Sequence, residues 1–266
     1  MIGLFFIVSF LRIGFAQETI RLATTTSVQD TGLLDLLINV FQKKTQYKVQ
    51  TIAVGSGQAM QLGRTGEADI LWVHSLDDEK QFMAEGYGVA RITVMHNDFV
   101  ILGPKNDPAQ IKGIKKASDA FKKIAASKAL FVSRGDNSGT HKKEKKLWET
   151  AEVIPDKEKY YIEVGQGMAA AITVANEKKS YCLADRATYL SLKKSVELVI
   201  ICEGDVGLTN HYSLILVNPD KFPKVNSLGA RELLNFLLSK KAKQIIENFG
   251  KEKYKEQLFF SDYPVK

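Results

Sequence analysis

Cysteine and histidine are scarce. Cys182, Cys202, His74, His96, His141 and His211 are the whole supply in 266 residues, all far apart in the chain. No zinc-type spacing exists among them, so the sequence offers no metal centre. A chain of this length buries a full core without disulfides or metals. No G-x-S-x-G elbow and no G-x-x-x-x-G-K-[ST] loop occurs, so the nucleophile turn of the α/β hydrolases and an ATP site of the P-loop kind are both missing. There is no Gly/Ser/Pro linker and no solenoid-period repeat. Long apolar runs are missing too. Residues 1–11 (MIGLFFIVSFL) form an apolar run far short of the roughly 20 residues a membrane span needs.

What is present is ordinary globular composition, 45% hydrophobic and 25% charged, with a formal charge of +7. That excludes collagen-like, low-complexity and disordered classes. The basic balance is compatible with nucleic acid, an anionic membrane or a small anion. The apolar run is followed by Arg12 and then by Gly14-Phe15-Ala16, small residues at the −3 and −1 positions of a cleavage site. Residues 1–16 therefore read as a secretory signal peptide, with the mature chain starting at Gln17 in the periplasm. The signal departs from the usual form, since no basic residue precedes the apolar run. Export would permit a Cys182–Cys202 disulfide between strand-like runs at 181–184 and 198–202. Two small buried apolar side chains are the equal alternative.

Strand and helix patterns then alternate. Strands are expected at 19–23, 47–54, 70–73, 93–102, 129–133, 160–164, 180–184, 198–202 and 212–217. Helices are expected at 31–44, 58–66, 76–85, 118–127 (with Ser118 as N-cap), 139–149, 168–178, 228–238 and 242–249. The alternation predicts an α/β fold with mostly parallel sheets. Continuous apolar strands such as ILWV and YSLILV imply sheets covered on both faces. The units are too many for one small sheet. Two lobes are expected, 17–103 plus 208–266 and an inserted 104–207, joined by crossing strands at 98–102 and 210–217.

Polar chemistry concentrates at three strand-to-helix junctions: Thr24-Thr25-Thr26-Ser27, Gly55-Ser56-Gly57 and Ser133-Arg134-Gly135-Asp136-Asn137-Ser138-Gly139-Thr140-His141. Ligands bind α/β sheets at the carboxyl ends of strands, and helix N-termini there favour anions. Each cluster alone is ordinary capping chemistry. Together they supply hydroxyl and N–H donors around one guanidinium, Arg134, with Asp136 placed to hold it. This describes a receptor for a small tetrahedral oxyanion. A rival motif, Gly165-x-Gly167-x-x-Ala170 with Asp185 twenty residues beyond Gly165, has the outline of a dinucleotide fingerprint and an oxidoreductase. Ser138 and His141 read as cap and first-turn residue, Trp72 as core, the 134–136 RGD string as chance, and Lys142, Lys143, Lys145 and Lys146 as a solvated helix face.

The strings LATTTSVQDTGLLDLL, VGSGQAMQLGRTGEADILWVHS, EGYGVARITVMHNDFVILGP, FVSRGDNSGTHKKEKKLW and EVGQGMAAAITVANEKKSYCLADRATY resemble the tungstate-binding proteins of bacterial ABC importers over almost the whole mature chain. The Arg134–Thr140 string is also similar to that of phosphate-binding receptors. His96 and Cys182 depart from the pattern, where Tyr and Thr are more usual, and both stand outside the site strings. The resemblance implies a two-lobed type II periplasmic binding fold and no catalysis. It also implies ligand donors at Thr25, Thr26, Ser27, Ser56, Arg134, Ser138, Gly139, Thr140, Gly167 and Met168. Its expected partners are tungstate or molybdate and an ABC permease. No nucleic acid, cofactor or protein-bound metal is expected, and the receptor should be a monomer. Phosphate keeps a proton at neutral pH and gains from an acceptor carboxylate, whereas tungstate, molybdate and sulfate take donors only. Besides Asp136, the only acid beside the clusters is Asp30, which disfavours phosphate. A ligand-sensing domain of a cytoplasmic regulator is the remaining alternative, and it would not be cleaved after Ala16.

Overall fold

The computed structural model describes residues 18–29, 31–157 and 159–263. The expected signal peptide lies outside the described residues. Strand β1 (Thr19–Thr25) runs through a single turn, α1 (Thr26–Gln29), into α2 (Leu33–Gln42). The apolar spacing of α2 buries Leu33, Leu34, Leu37, Ile38 and Phe41 on one face. β2 (Lys48–Val54), α3 (Ser56–Arg64), β3 (Ile70–Val73) and α4 (Leu76–Ala84) follow. β4 (Gly88–Gly103) is 16 residues long. Next come α5 (Ala117–Ser127), β5 (Phe131–Ser133), α6 (Gly139–Thr150), β6 (Tyr161–Glu163) and α7 (Met168–Glu177). They lead to β7 (Tyr181–Asp185), α8 (Arg186–Leu192) and β8 (Val199–Cys202). A 3₁₀ turn (Val206–Leu208) and β9 (Thr209–Val217) carry the chain back. α9 (Ser227–Leu237), α10 (Lys240–Asn248), α11 (Lys251–Tyr254) and β10 (Phe260–Ser261) close it.

The strands form one ladder in the order β2-β1-β3-β9-β4-β7-β5-β6, with β8 and β10 added to β4. β1, β2 and β3 are parallel, as are β5, β6 and β7. β4 and β9 are not: they pair antiparallel with each other and with their neighbours. The sheet is therefore mixed rather than mostly parallel. The physical reason is β4, which serves two sheets in succession. Its residues 88–98 pair β9, and residues 99–103 pair β7 and β8. β9 pairs only on the first side, so the return passes through residues 203–208 before β9 begins. Arg186 fastens this crossing. Its guanidinium donates to both oxygens of Asp98, at 2.9 and 3.0 Å from Nε, and to Glu203 at 2.5 Å.

The structure corrects several expectations. Helix α5 starts at Ala117, ahead of Ser118, and has no side-chain cap of its own; the Ala117 N–H donates to the Asp205 carboxylate at 2.7 Å instead. Cys182 and Cys202 are free and buried. Their strands are not neighbours, because β4 runs between them, with Leu102 opposite Cys182 and Ile101 opposite Cys202. Burial pushes both thiols up, Cys202 to about 11, so neither is a ready thiolate. The dinucleotide reading also fails on topology. β6 and β7 flank β5 and do not pair with each other, so no adjacent βαβ unit surrounds the Gly165–Ala170 motif. Asp185 is spent as the N-cap of α8, accepting from the Thr188 N–H at 2.8 Å. Trp72 is fully buried in the core.

Candidate ligand-binding cleft

The strand register decides which loops meet. Thr25 lies opposite Val54 and Thr24 opposite Trp72, so β1, β2 and β3 end on one edge. That edge carries Thr25 and Thr26, Ser56, and His74 with Ser75. Ser133 lies opposite Glu163 and Val132 opposite Cys182, so β5, β6 and β7 end on a second edge. This one carries Arg134, the 165–167 glycine turn and Asp185. Helices α3, α6 and α7 begin at these edges, each leaving its first backbone N–H groups without an intrahelical partner. Gly165 at φ 70° makes the turn that brings α7 in, a conformation that favours glycine.

The two edges touch. A Cβ on Gly139 would lie 2.3 Å from Cε1 of His74, so glycine is what lets α6 approach β3. Lys142 of α6 donates to Asp78 of α4 at 2.7 Å, and the Ser75 hydroxyl donates to the same carboxylate at 2.7 Å. The lysine run of α6 is thus more than a solvated face. Its first member bridges two elements that the chain keeps 64 residues apart.

A cavity of about 620 Å³ lies between the edges, lined by Thr26, Thr31, Arg134, Gly167, Met168 and Asp185 among others. Of the expected ligand residues, Thr26, Arg134, Gly167 and Met168 meet on its wall. Thr25, Ser56, Ser138, Gly139 and Thr140 stand at the same strand and helix ends but not on that wall. The Ser27 side chain and Asp30 lie outside the described residues. Ser138 is the N-cap of α6, its hydroxyl accepting from the His141 N–H at 3.3 Å, which leaves no nucleophile–base pair there. His141 Nδ1 in turn accepts from the Asn137 N–H at 3.0 Å.

Among the described residues, Arg134 is the only cation on the cavity wall that is mostly buried, with its side chain 13% exposed. It is bonded to Asp136, and Ser138 donates its N–H to the same Asp136 carboxylate at 3.1 Å. Burial works to raise the Asp136 pKa, but the Ser138 hydrogen bonds and the Arg134 charge outweigh it and hold the carboxyl below its ordinary value. The Asp136 carboxyl is therefore ionised at neutral pH. Arg134 Nε is buried and has no hydrogen-bond partner among the described residues. A buried donor without an acceptor costs about 1–3 kcal/mol, more when charged; an anion seated in the cavity removes that cost.

Two neighbours were not among the expected ligand residues. His74 is half-buried. Its Nδ1 sits 3.1 Å from Asn210 Oδ1, and burial lowers its pKa to about 4, so it is neutral. Asp185 is half-buried on the cavity wall, and desolvation raises its pKa; it is an acid beside the donors that the sequence reading, with only Asp136 and Asp30, did not place there. No motif marks His74, and the motif that singled out Asp185 pointed to a dinucleotide; each owes its place here to strand register.

Comparisons with known proteins show the family. A family model described as a PBP superfamily domain matches residues 15–241. A tungstate-binding protein TupA of Peptoclostridium acidaminophilum is 47% identical over 247 residues, covering 92% of this chain and 86% of that protein. The structure of the tungstate-binding protein TupA from Desulfovibrio alaskensis superposes with a TM-score of 0.85 at 43% identity, covering 93% of this chain and 100% of that one. That of the tungstate ABC transporter from Geobacter sulfurreducens gives a TM-score of 0.78 at 46% identity, covering 88% and 100%.

Proposed function

Because this chain belongs to the PBP superfamily, in the group that contains the tungstate-binding proteins, we propose that it captures tungstate outside the cytoplasm and hands it to an ABC permease. It is a solute-binding protein of the type II periplasmic binding fold and not an enzyme. The observation that carries the ligand class is Arg134, a buried guanidinium with one N–H unpaired, facing a cavity surrounded by hydroxyls and helix N-termini. A fully ionised tetrahedral anion uses donors only. Arg134, Thr25, Thr26, Ser27, Ser56, Ser138, Gly139, Thr140, Gly167 and Met168 are the proposed donor set. The preference for tungstate over molybdate rests on the relatives, because the two ions are nearly equal in charge and shape.

In this reading residues 17–103 plus 208–266 form one lobe and 104–207 the other. The anion docks on one lobe, and closure over it is driven by the extra contacts of the closed form. The Lys142–Asp78 bridge and the His74–Gly139 contact belong to that closed form. The protein acts as a monomer, with residues 1–16 removed on export. Among the described residues no helix is long and apolar enough to cross a membrane.

Calorimetric titration with tungstate, molybdate, sulfate and phosphate tests the proposal. Saturable 1:1 binding of tungstate, with phosphate weaker, is the expected result; no heat with any of the four would end it. Closure has its own test. Gly139→Ala places a methyl group inside the His74 ring contact. Overpacking of this kind costs about 1–3 kcal/mol, so tungstate affinity should fall about 5- to 150-fold while the isolated fold keeps its melting temperature. Unchanged affinity would show that His74 and Gly139 need not meet in the bound state.

A further inference from the structure

The first sheet builds a second cluster that the oxyanion site does not use. His96 on β4 and His211 on β9 are 115 positions apart, yet the antiparallel register sets them directly opposite each other. Opposed residues on neighbouring strands point to the same face. β10 adds a third strand on the other side of β4, with Phe260 opposite His96. Two residues further on, on the same face by the period of a strand, comes Asp262. Its backbone is fixed by its N–H, which donates to the Val94 carbonyl at 3.1 Å.

The side chains converge accordingly. His96 Nδ1 lies 2.6 Å from Asp262 Oδ1, and His211 Nδ1 lies 2.9 Å from Asp262 Oδ2. One ligand atom from each of the three residues can be chosen so that all lie within 4.8 Å of one another. Imidazole nitrogen and carboxylate oxygen sit about 2.0–2.2 Å from a zinc ion, so two ligands of one ion are at most about 4.3 Å apart. Small side-chain rotations alone would close the difference. Phe260 stacks on the His96 ring at 5.0 Å and 14°, which limits its rotation. His211 is 54% exposed, and both His211 and Asp262 border an open cavity of about 760 Å³, so an ion has a path in and room for water on its free side.

We propose that His96, His211 and Asp262 form a surface site for one borderline divalent transition-metal ion, Zn²⁺ or a close neighbour such as Co²⁺ or Ni²⁺. Two imidazoles and a carboxylate suit these ions and not Mg²⁺ or Ca²⁺, which prefer all-oxygen shells. The bound ion takes the place of the imidazole–carboxylate hydrogen bonds. It would tie β4, β9 and the C-terminal segment together just before β4 crosses between the sheets.

The test is a titration of the untagged protein, residues 17–266, with Zn²⁺ by calorimetry and with Co²⁺ by visible absorption, in the absence of oxyanion. One ion per chain should bind, with a Co²⁺ d–d spectrum showing nitrogen ligation. His211→Asn, at an exposed position where folding is not at stake, should weaken Zn²⁺ at least tenfold and abolish that spectrum. It should leave tungstate affinity unchanged, since His211 takes no part in the anion cavity. No saturable binding would overturn the proposal, leaving a hydrogen-bonded cluster only. So would equal affinity in wild type and His211→Asn.

Discussion

Arg134→Ala is expected to weaken oxyanion binding by about 2–5 kcal/mol, roughly 30-fold to several thousand-fold. Two losses add. The anion loses a charged donor whose Nε has no other partner among the described residues. Asp136, bonded to Arg134 and held ionised, is left as an uncompensated carboxylate beside an incoming anion. Calorimetry with tungstate measures the effect, and circular dichroism checks that the variant is folded. Arg134→Lys keeps the charge but not the planar fork and should fall between the two. Wild-type affinity in Arg134→Ala would remove this residue from the site.

The second large effect is on stability and pH. Glu144 of α6 is buried, and its Oε1 accepts from the Tyr161 hydroxyl at 2.7 Å and the Trp148 indole N–H at 3.2 Å. Burial raises its pKa from 4.5 to about 7 against the pull of those bonds. A carboxyl raised in the folded state stabilises the fold fully below pH 4.5, and that contribution is lost as pH rises through about 7. The span corresponds to about 3 kcal/mol. Urea unfolding of Glu144→Gln should therefore show a gain relative to wild type of about 3 kcal/mol on going from pH 4.5 to 8. Parallel pH profiles would refute it. His74 works with the opposite sign. Its pKa falls from 6.5 to about 4, so its contribution is complete above pH 6.5 and is lost as pH drops through about 4. His74 is common to both proteins, so it cancels in the comparison.

Local order was legible where the signal is local. The apolar spacing of Leu33, Leu34, Leu37, Ile38 and Phe41 located α2, and Ser138 before Gly139 located the start of α6. The polar strings at Thr24–Ser27 and Ser133–His141 fall at the ends of β1 and β5, as expected, because strand-helix junctions carry their capping residues in sequence. What escaped was set by pairing at a distance. The 16-residue length of β4 depends on partners from four different strands. Asp205, not Ser118, caps α5 from 88 positions away. Lys142 looks like any solvated lysine until α4 supplies Asp78. The His96–His211 pair has no spacing that a motif could capture, since register alone creates it.

The position of β9 has a consequence for how the chain is made. β9 lies between β3 and β4, at the heart of the first sheet, yet it is drawn from residues 209–217. Until a ribosome has added those residues, β3 and β4 have no common neighbour and the first sheet is split. The second sheet needs only β4 to β8, all complete by Cys202. Synthesis therefore completes the second sheet first and the first sheet last, through contacts of long sequence separation, the kind that form slowly.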